Sequence, residues 1–188
     1  MLPPELTALL SAADAAEADA RTIVAGLTDA QANWQPDGGA AWSVTQCLDH
    51  LARTNEVYVG RFLPEVERAG ADGRGPFRGL HPTWFGRKFL AVLEPPVTQK
   101  AKAFKNIVPA PALPIADALA RYVSSHEAYR RLVTASAAVD VNRVVVPNPF
   151  VRGLRVRTST ALQVIPAHDR RHLWQARQVL ARPDFPRG

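Results

Sequence analysis

Ser43-Val44-Thr45-Gln46 opens the clearest helix in the chain. The serine hydroxyl can accept the N–H three residues on, and the glutamine can reach back to the serine N–H, the reciprocal arrangement of a capping box. Behind this start, Val44, Leu48, Leu51, Tyr58, Phe62, Val66 and Ala69 recur at helical spacing as far as Gly70. Pro64 removes one backbone donor while the stripe continues, which predicts a kink and not a stop. An amphipathic helix of this length needs partners to cover its apolar side.

Three more helices can supply that cover. The first runs from about Pro4 to Gly26, with Leu6, Leu9, Leu10, Ala13, Ala16, Ala20, Ile23 and Leu27 on one stripe. Its alanines suit close packing, and Pro3-Pro4 suits a helix entry, where a missing N–H is harmless. The third spans about Ile115–Ala138, with Ile115, Ala118, Leu119, Tyr122, Tyr129, Leu132 and Val133 on one face. The fourth begins near Thr158–Thr160, where Thr160 and Gln163 have capping-box spacing, and runs to about Arg182; Pro183 and Pro186 end it.

The connectors differ in kind. Residues 32–41 are short, which predicts that helices one and two are antiparallel neighbours. Residues 70–114 form a proline-rich crossover with a short helical stretch around Thr83–Leu93. Structureless loops of this length are uncommon in compact domains. The crossover should therefore lie against the helices, held by Phe77, Trp84, Phe85, Phe89 and Phe104. Residues 139–157 read as extended chain or a short hairpin. The pattern predicts an all-α fold, with one domain over residues 1–188 built as a four-helix bundle with long crossover connections.

Composition narrows the function classes. The chain has 188 residues, 47% hydrophobic and 21% charged, the balance of an ordinary globular protein. Its single cysteine, Cys47, excludes an internal disulfide and any Cys-x-x-Cys zinc site. Asp14, Glu17 and Asp19 interrupt the apolar N-terminal stretch, so it fails as a signal peptide. No window approaches the ~20 apolar residues of a membrane span. A cytoplasmic protein without a membrane partner is expected.

The net charge of +6 is local. Between residues 73 and 112, Arg74, Arg78, Arg87, Lys88, Lys100, Lys102 and Lys105 stand against one acid, Glu94, and account for the whole excess. No helix-turn-helix, zinc finger or aromatic RNA motif accompanies them, so nucleic-acid binding is not expected. An anionic small-molecule substrate or a carboxylate-bearing thiol is the better match.

Candidate chemistry rests on histidines. His168 and His172 are four apart in the fourth helix and share a face one turn apart. Imidazole is the commonest ligand for zinc and related ions, and this spacing lets two rings reach one ion. The alternative is a pair of half-buried histidines bonded to neighbouring helices. His50 lies about two turns into helix two; if helices two and four run parallel, all three rings reach one depth. Three imidazoles on one side of an ion leave its other positions to water or substrate.

Other residues near the motifs carry weaker readings. His126 reads as surface-facing, with a role as an extra ligand or proton carrier as the alternative. His81 reads as solvated. Cys47 reads as small core packing, with a place in the pocket as the alternative. Asp169 and Gln175 are candidates to orient ligand rings. Trp42, Trp84 and Trp174 read as packing residues, and Tyr58 and Tyr129 as remote candidates for pocket hydroxyls.

Trp42-Ser43, Cys47-Leu48-x-His50-Leu51 and, about 110 residues on, Pro166-Ala167-His168-Asp169-Arg170-Arg171-His172-Leu173-x-Gln175 together resemble the DinB-like superfamily of metal-binding four-helix bundles. The resemblance follows helix order over nearly the whole chain. It implies up-down-down-up connectivity and one divalent ion, zinc, nickel or iron, held by His50, His168 and His172. It also implies a metal-dependent reaction on a small molecule, such as S-transfer from a low-molecular-weight thiol, isomerisation or hydrolysis. A non-catalytic metal-binding stress-response module is the alternative. Relatives often dimerise, and the alanine-rich first helix offers a face for a homodimer.

Overall fold

A computed structural model describes residues 1–97 and 102–187. Lys100, one of the crossover's basic residues, lies outside them. The chain is mostly helical: α1 (Pro4–Val24), α2 (Asp29–Ala32), α3 (Val44–Ala71), α4 (Trp84–Leu93), α5 (Ile115–Ala135) and α6 (Thr158–Leu180), with 3₁₀ turns at 37–39, 105–107 and 136–138. Residues 139–157, read as extended chain or a short hairpin, carry a two-stranded antiparallel ladder, β1 (Val145–Pro147) on β2 (Arg155–Arg157), with Val146 opposite Val156.

Local signals explain most of these elements. Ser43 and Gln46 form the capping box of α3, which runs through Pro64 to Ala71. Thr28 and Gln31 form a second capping box on α2, a helix that the sequence reading did not assign. The box expected at Thr160 and Gln163 does not form. The helix starts at Thr158, within the expected range but with Arg157 at the cap, and its first donors go to loop carbonyls: Thr158 N–H to Val144 and Ser159 N–H to Val141. Gln163 instead donates to the Ser159 carbonyl at 2.7 Å.

The four long helices bury two apolar clusters. One holds Leu6, Leu9, Phe62, Val66, Tyr129, Leu132, Leu162 and Ile165; the other holds Ala16, Ala20, Leu48, Leu51, Ala118, Tyr122, Leu173 and Ala176. Following the chain, α1 and α6 pass from the first cluster to the second, whereas α3 and α5 pass from the second to the first. Helices α3 and α6 are therefore opposed, not parallel as the matching of histidine depths supposed. His50 is six residues from the N-terminal end of α3, and His172 is eight from the C-terminal end of α6, so opposed helices bring them level.

Helix α1 packs mainly on α5 and α6, and so does α3. The expected α1–α3 neighbours are thus not the principal contact. The connector, with α2 and a 3₁₀ turn inside it, is long enough to cross the end of the helices.

The crossover is held differently from the expectation. Phe77 packs on the core, but Trp84, Phe85, Phe89 and Phe104 are exposed. Hydrogen bonds do most of the fastening. Asn142 receives the His81 N–H and donates to the Gly79 carbonyl, and Asp49 receives the Ala110 N–H at 2.8 Å. Leu93 and Ile107 supply the buried apolar contacts. Helix α4 lies on α6, where Gly86 comes so close that a Cβ would stand 2.8 Å from Thr160 Oγ1. Thr160 is buried and β-branched and has little room to turn away.

Gly86→Val should therefore destabilise the fold by about 2 kcal/mol, the usual range for overpacking. Its amides should show the loss first: hydrogen exchange over residues 84–93 accelerates while α3 and α5 keep their protection. Unchanged protection in α4 would show that the close approach is unimportant.

Candidate metal centre

Three imidazoles meet where α3 and α6 face each other. One ligand nitrogen from each of His50, His168 and His172 lies within 4.8 Å of the other two. All three residues are buried. Nε2 of His50 stands 3.3 Å from Nε2 of His168. The i,i+4 pair lies as the helix demands, with ring centroids 4.5 Å apart.

Neighbouring groups fix where the protons sit. Nδ1 of His50 donates to the Ile107 carbonyl at 2.8 Å, because a carbonyl can only accept. That leaves His50 Nε2 as a lone pair aimed at His168. Nδ1 of His172 donates to Gln175 Oε1 at 2.9 Å, which leaves its Nε2 as the lone-pair nitrogen. Nδ1 of His168 has no hydrogen-bond partner among the described residues. Two nitrogens sharing a tetrahedral zinc at ~2.05 Å each would stand about 3.3 Å apart. The His50–His168 separation matches that edge, so the residues fit a divalent ion.

Electrostatics keep the rings neutral. Burial pushes the pKa of all three below the usual histidine value; for His168 the neighbouring rings of His172 and His50 add to it, and the charge of Arg171 acts on each ring in the same direction. Neutral imidazole is the form that ligates metals. Trp42 lies over the cluster, 4.6 Å from the His50 ring and 5.6 Å from that of His172. It is a packing residue, as expected, and what it packs against is the rings of His50 and His172.

The remaining candidates separate cleanly. His126 is fully buried, contrary to its surface reading, with Nε2 3.1 Å from Asp169 Oδ2 and Nδ1 3.4 Å from Glu17. Asp169 accordingly braces α5 against α6 and orients none of the three rings; Gln175 does orient one. Cys47 is core packing, its thiol pushed up to about 12 by burial. Tyr129 donates to the Leu162 carbonyl, and Tyr58 is buried against Phe62, so neither is placed to serve the three rings. His81 is exposed.

Sequence reasoning missed two contributors. The Ile107 carbonyl is a backbone group that any residue would present. Asp49 fastens the crossover beside it, accepting from Ala110 and pairing with Arg53 and Arg121. Its place one residue before His50 was the available signal.

The lowered pKa values set a pH dependence. Between the folded values and the ordinary 6.5 the unfolded chain binds more protons, so this contribution is complete above about pH 6.5 and is lost as pH falls below it. In chelator-treated protein the urea midpoint should drop between pH ~7.5 and ~5.5, and the drop should shrink in His168→Gln. A midpoint that rises on acidification would contradict the assignment.

Comparison with curated proteins and with solved structures gives no match. The family model of the DinB superfamily matches residues 12–176, a span that reaches all four long helices and contains the three histidines. On that match, the chain belongs to the DinB superfamily.

Proposed function

We propose that the chain is a metal-dependent enzyme in which His50, His168 and His172 hold one divalent ion, zinc, nickel or iron, inside a four-helix bundle of up-down-down-up connectivity. The opposed directions of α1 and α6 against α3 and α5 support the connectivity. The observation that carries the metal is the 3.3 Å between two imidazole nitrogens when the proton of one is committed to a carbonyl.

Among the described residues no fourth histidine, cysteine, aspartate or glutamate joins the three. Once bound, a divalent ion supplies Lewis acidity and lowers the pKa of a water or thiol that joins it. The chain's residues hold the site ready. Ile107 and Gln175 fix two ring orientations, Trp42 shields one side, and the positive charge of Arg171 favours an anionic partner such as a thiolate or carboxylate. The reaction we propose is transfer or isomerisation dependent on a low-molecular-weight thiol, or hydrolysis, acting on a small molecule. The burial of the rings under Trp42 favours a second reading, in which the ion only braces the helices of a stress-response module.

Protein purified without chelator should contain one equivalent of divalent metal by elemental analysis; metal-free protein of intact fold would overturn the assignment. Gln175→Ala should weaken metal binding about 10–100-fold, the usual effect of removing a group that orients a ligand. A screen of small thiols against model electrophiles separates the two readings. Turnover that needs both the metal and His50, lost in His50→Ala, is expected of the enzyme; equal turnover after metal removal would contradict it.

A further inference from the structure

Helix α4 is apolar on two sides. Gly86 and Leu93 are buried toward the protein, but Trp84, Phe85, Phe89 and Val92 are 58, 78, 47 and 58% exposed. Residues 84, 88 and 92 form one row along the helix, and 85 and 89 a second row beside it. Lys88 sits within this face, its ammonium 5.7 Å from the centre of the Trp84 ring. Soluble monomers rarely gather so many large apolar side chains in one exposed patch.

The surrounding charge indicates what covers it. Arg78, Arg87, Lys88, Lys102 and Lys105 are exposed or half-exposed along the same crossover. The crossover's acids, Asp72 and Glu94, are paired with Arg74 and Arg170 and do not neutralise them. A second copy docked on this face would set like charges against each other. A nucleic-acid strand is gripped by a groove that tracks several phosphates, whereas the exposed apolar residues here lie on the outer face of a single helix. Aromatic side chains beside lysine and arginine on an exposed amphipathic helix suit a bilayer interface, where rings enter the headgroup layer and cations meet phosphates.

We propose that the outer face of α4 docks on an anionic lipid surface, with Trp84, Phe85 and Phe89 entering the interface and Arg87 and Lys88 meeting the headgroups. The contact is peripheral, since no helix among the described residues is long and apolar enough to cross a membrane. It does not depend on the metal assignment.

The test is flotation of the full chain with vesicles of phosphatidylcholine alone and of phosphatidylcholine mixed equally with phosphatidylglycerol. Binding should favour the anionic vesicles by about tenfold or more and weaken with added salt. Phe85→Ser with Phe89→Ser should reduce it about tenfold, and so should Lys88→Glu, with helix content and metal content unchanged. If a variant fails to fold, the wild-type contrast between neutral and anionic vesicles still decides the matter. Equal or absent binding to the two vesicle types would overturn the proposal. So would variants that bind as the wild type does, or a patch that instead supports dimers or captures a single-stranded oligonucleotide.

Discussion

An imidazole that gives its only proton to a backbone carbonyl turns a bare lone pair toward whatever lies on its other side. His50 does this: Ile107 takes the Nδ1 proton, and Nε2 faces His168 at 3.3 Å in a buried setting. Two lone pairs at that distance repel unless a proton or a cation lies between them. Much of the surrounding structure serves to keep this contact in place. Ile107 is where it is because the crossover is fastened through Ala110 to Asp49, and Asp49 is in turn braced by arginines from its own helix and from α5.

The position of this cluster follows from how the core is divided. Each long helix contributes apolar residues to both clusters, and between them lie Asn55, Ser125, His126 and Asp169, all buried. Asn55 bonds Ser125, and His126 bonds Asp169, so the layer links α3 to α5 and α5 to α6. Buried polar groups of this kind tolerate little sliding, because a shifted register would leave them unpaired. His168 directly precedes Asp169 of that layer, and His50 and His172 gather around His168.

Much of this was readable from residue order alone, for definite reasons. Helical stripes announce themselves by spacing, and Ser43–Gln46 marks its start by a local bond that needs no tertiary partner. His168 and His172 share a face by helix geometry whatever surrounds them. Relative direction is another matter, since periodicity carries no sign. The parallel arrangement on which the depth matching was conditional therefore does not occur, even though the three rings do meet. His126 has an ordinary surface-like context in sequence, Ser125-His126-Glu127, and only the approach of Asp169 from α6 and Glu17 from α1 makes it a buried group. The crossover aromatics were misread because apolar character was taken as inward character. In α4 both sides are apolar, and the close approach at Gly86 decides which side turns in.

The most direct measurement is an anomalous difference map from crystals of the metal-loaded protein. A single peak about 2.1 Å from one nitrogen of each of His50, His168 and His172 is the expected result. Strong density elsewhere, with the ring of His50 turned away from the other two, would contradict the reading of these histidines as one metal centre.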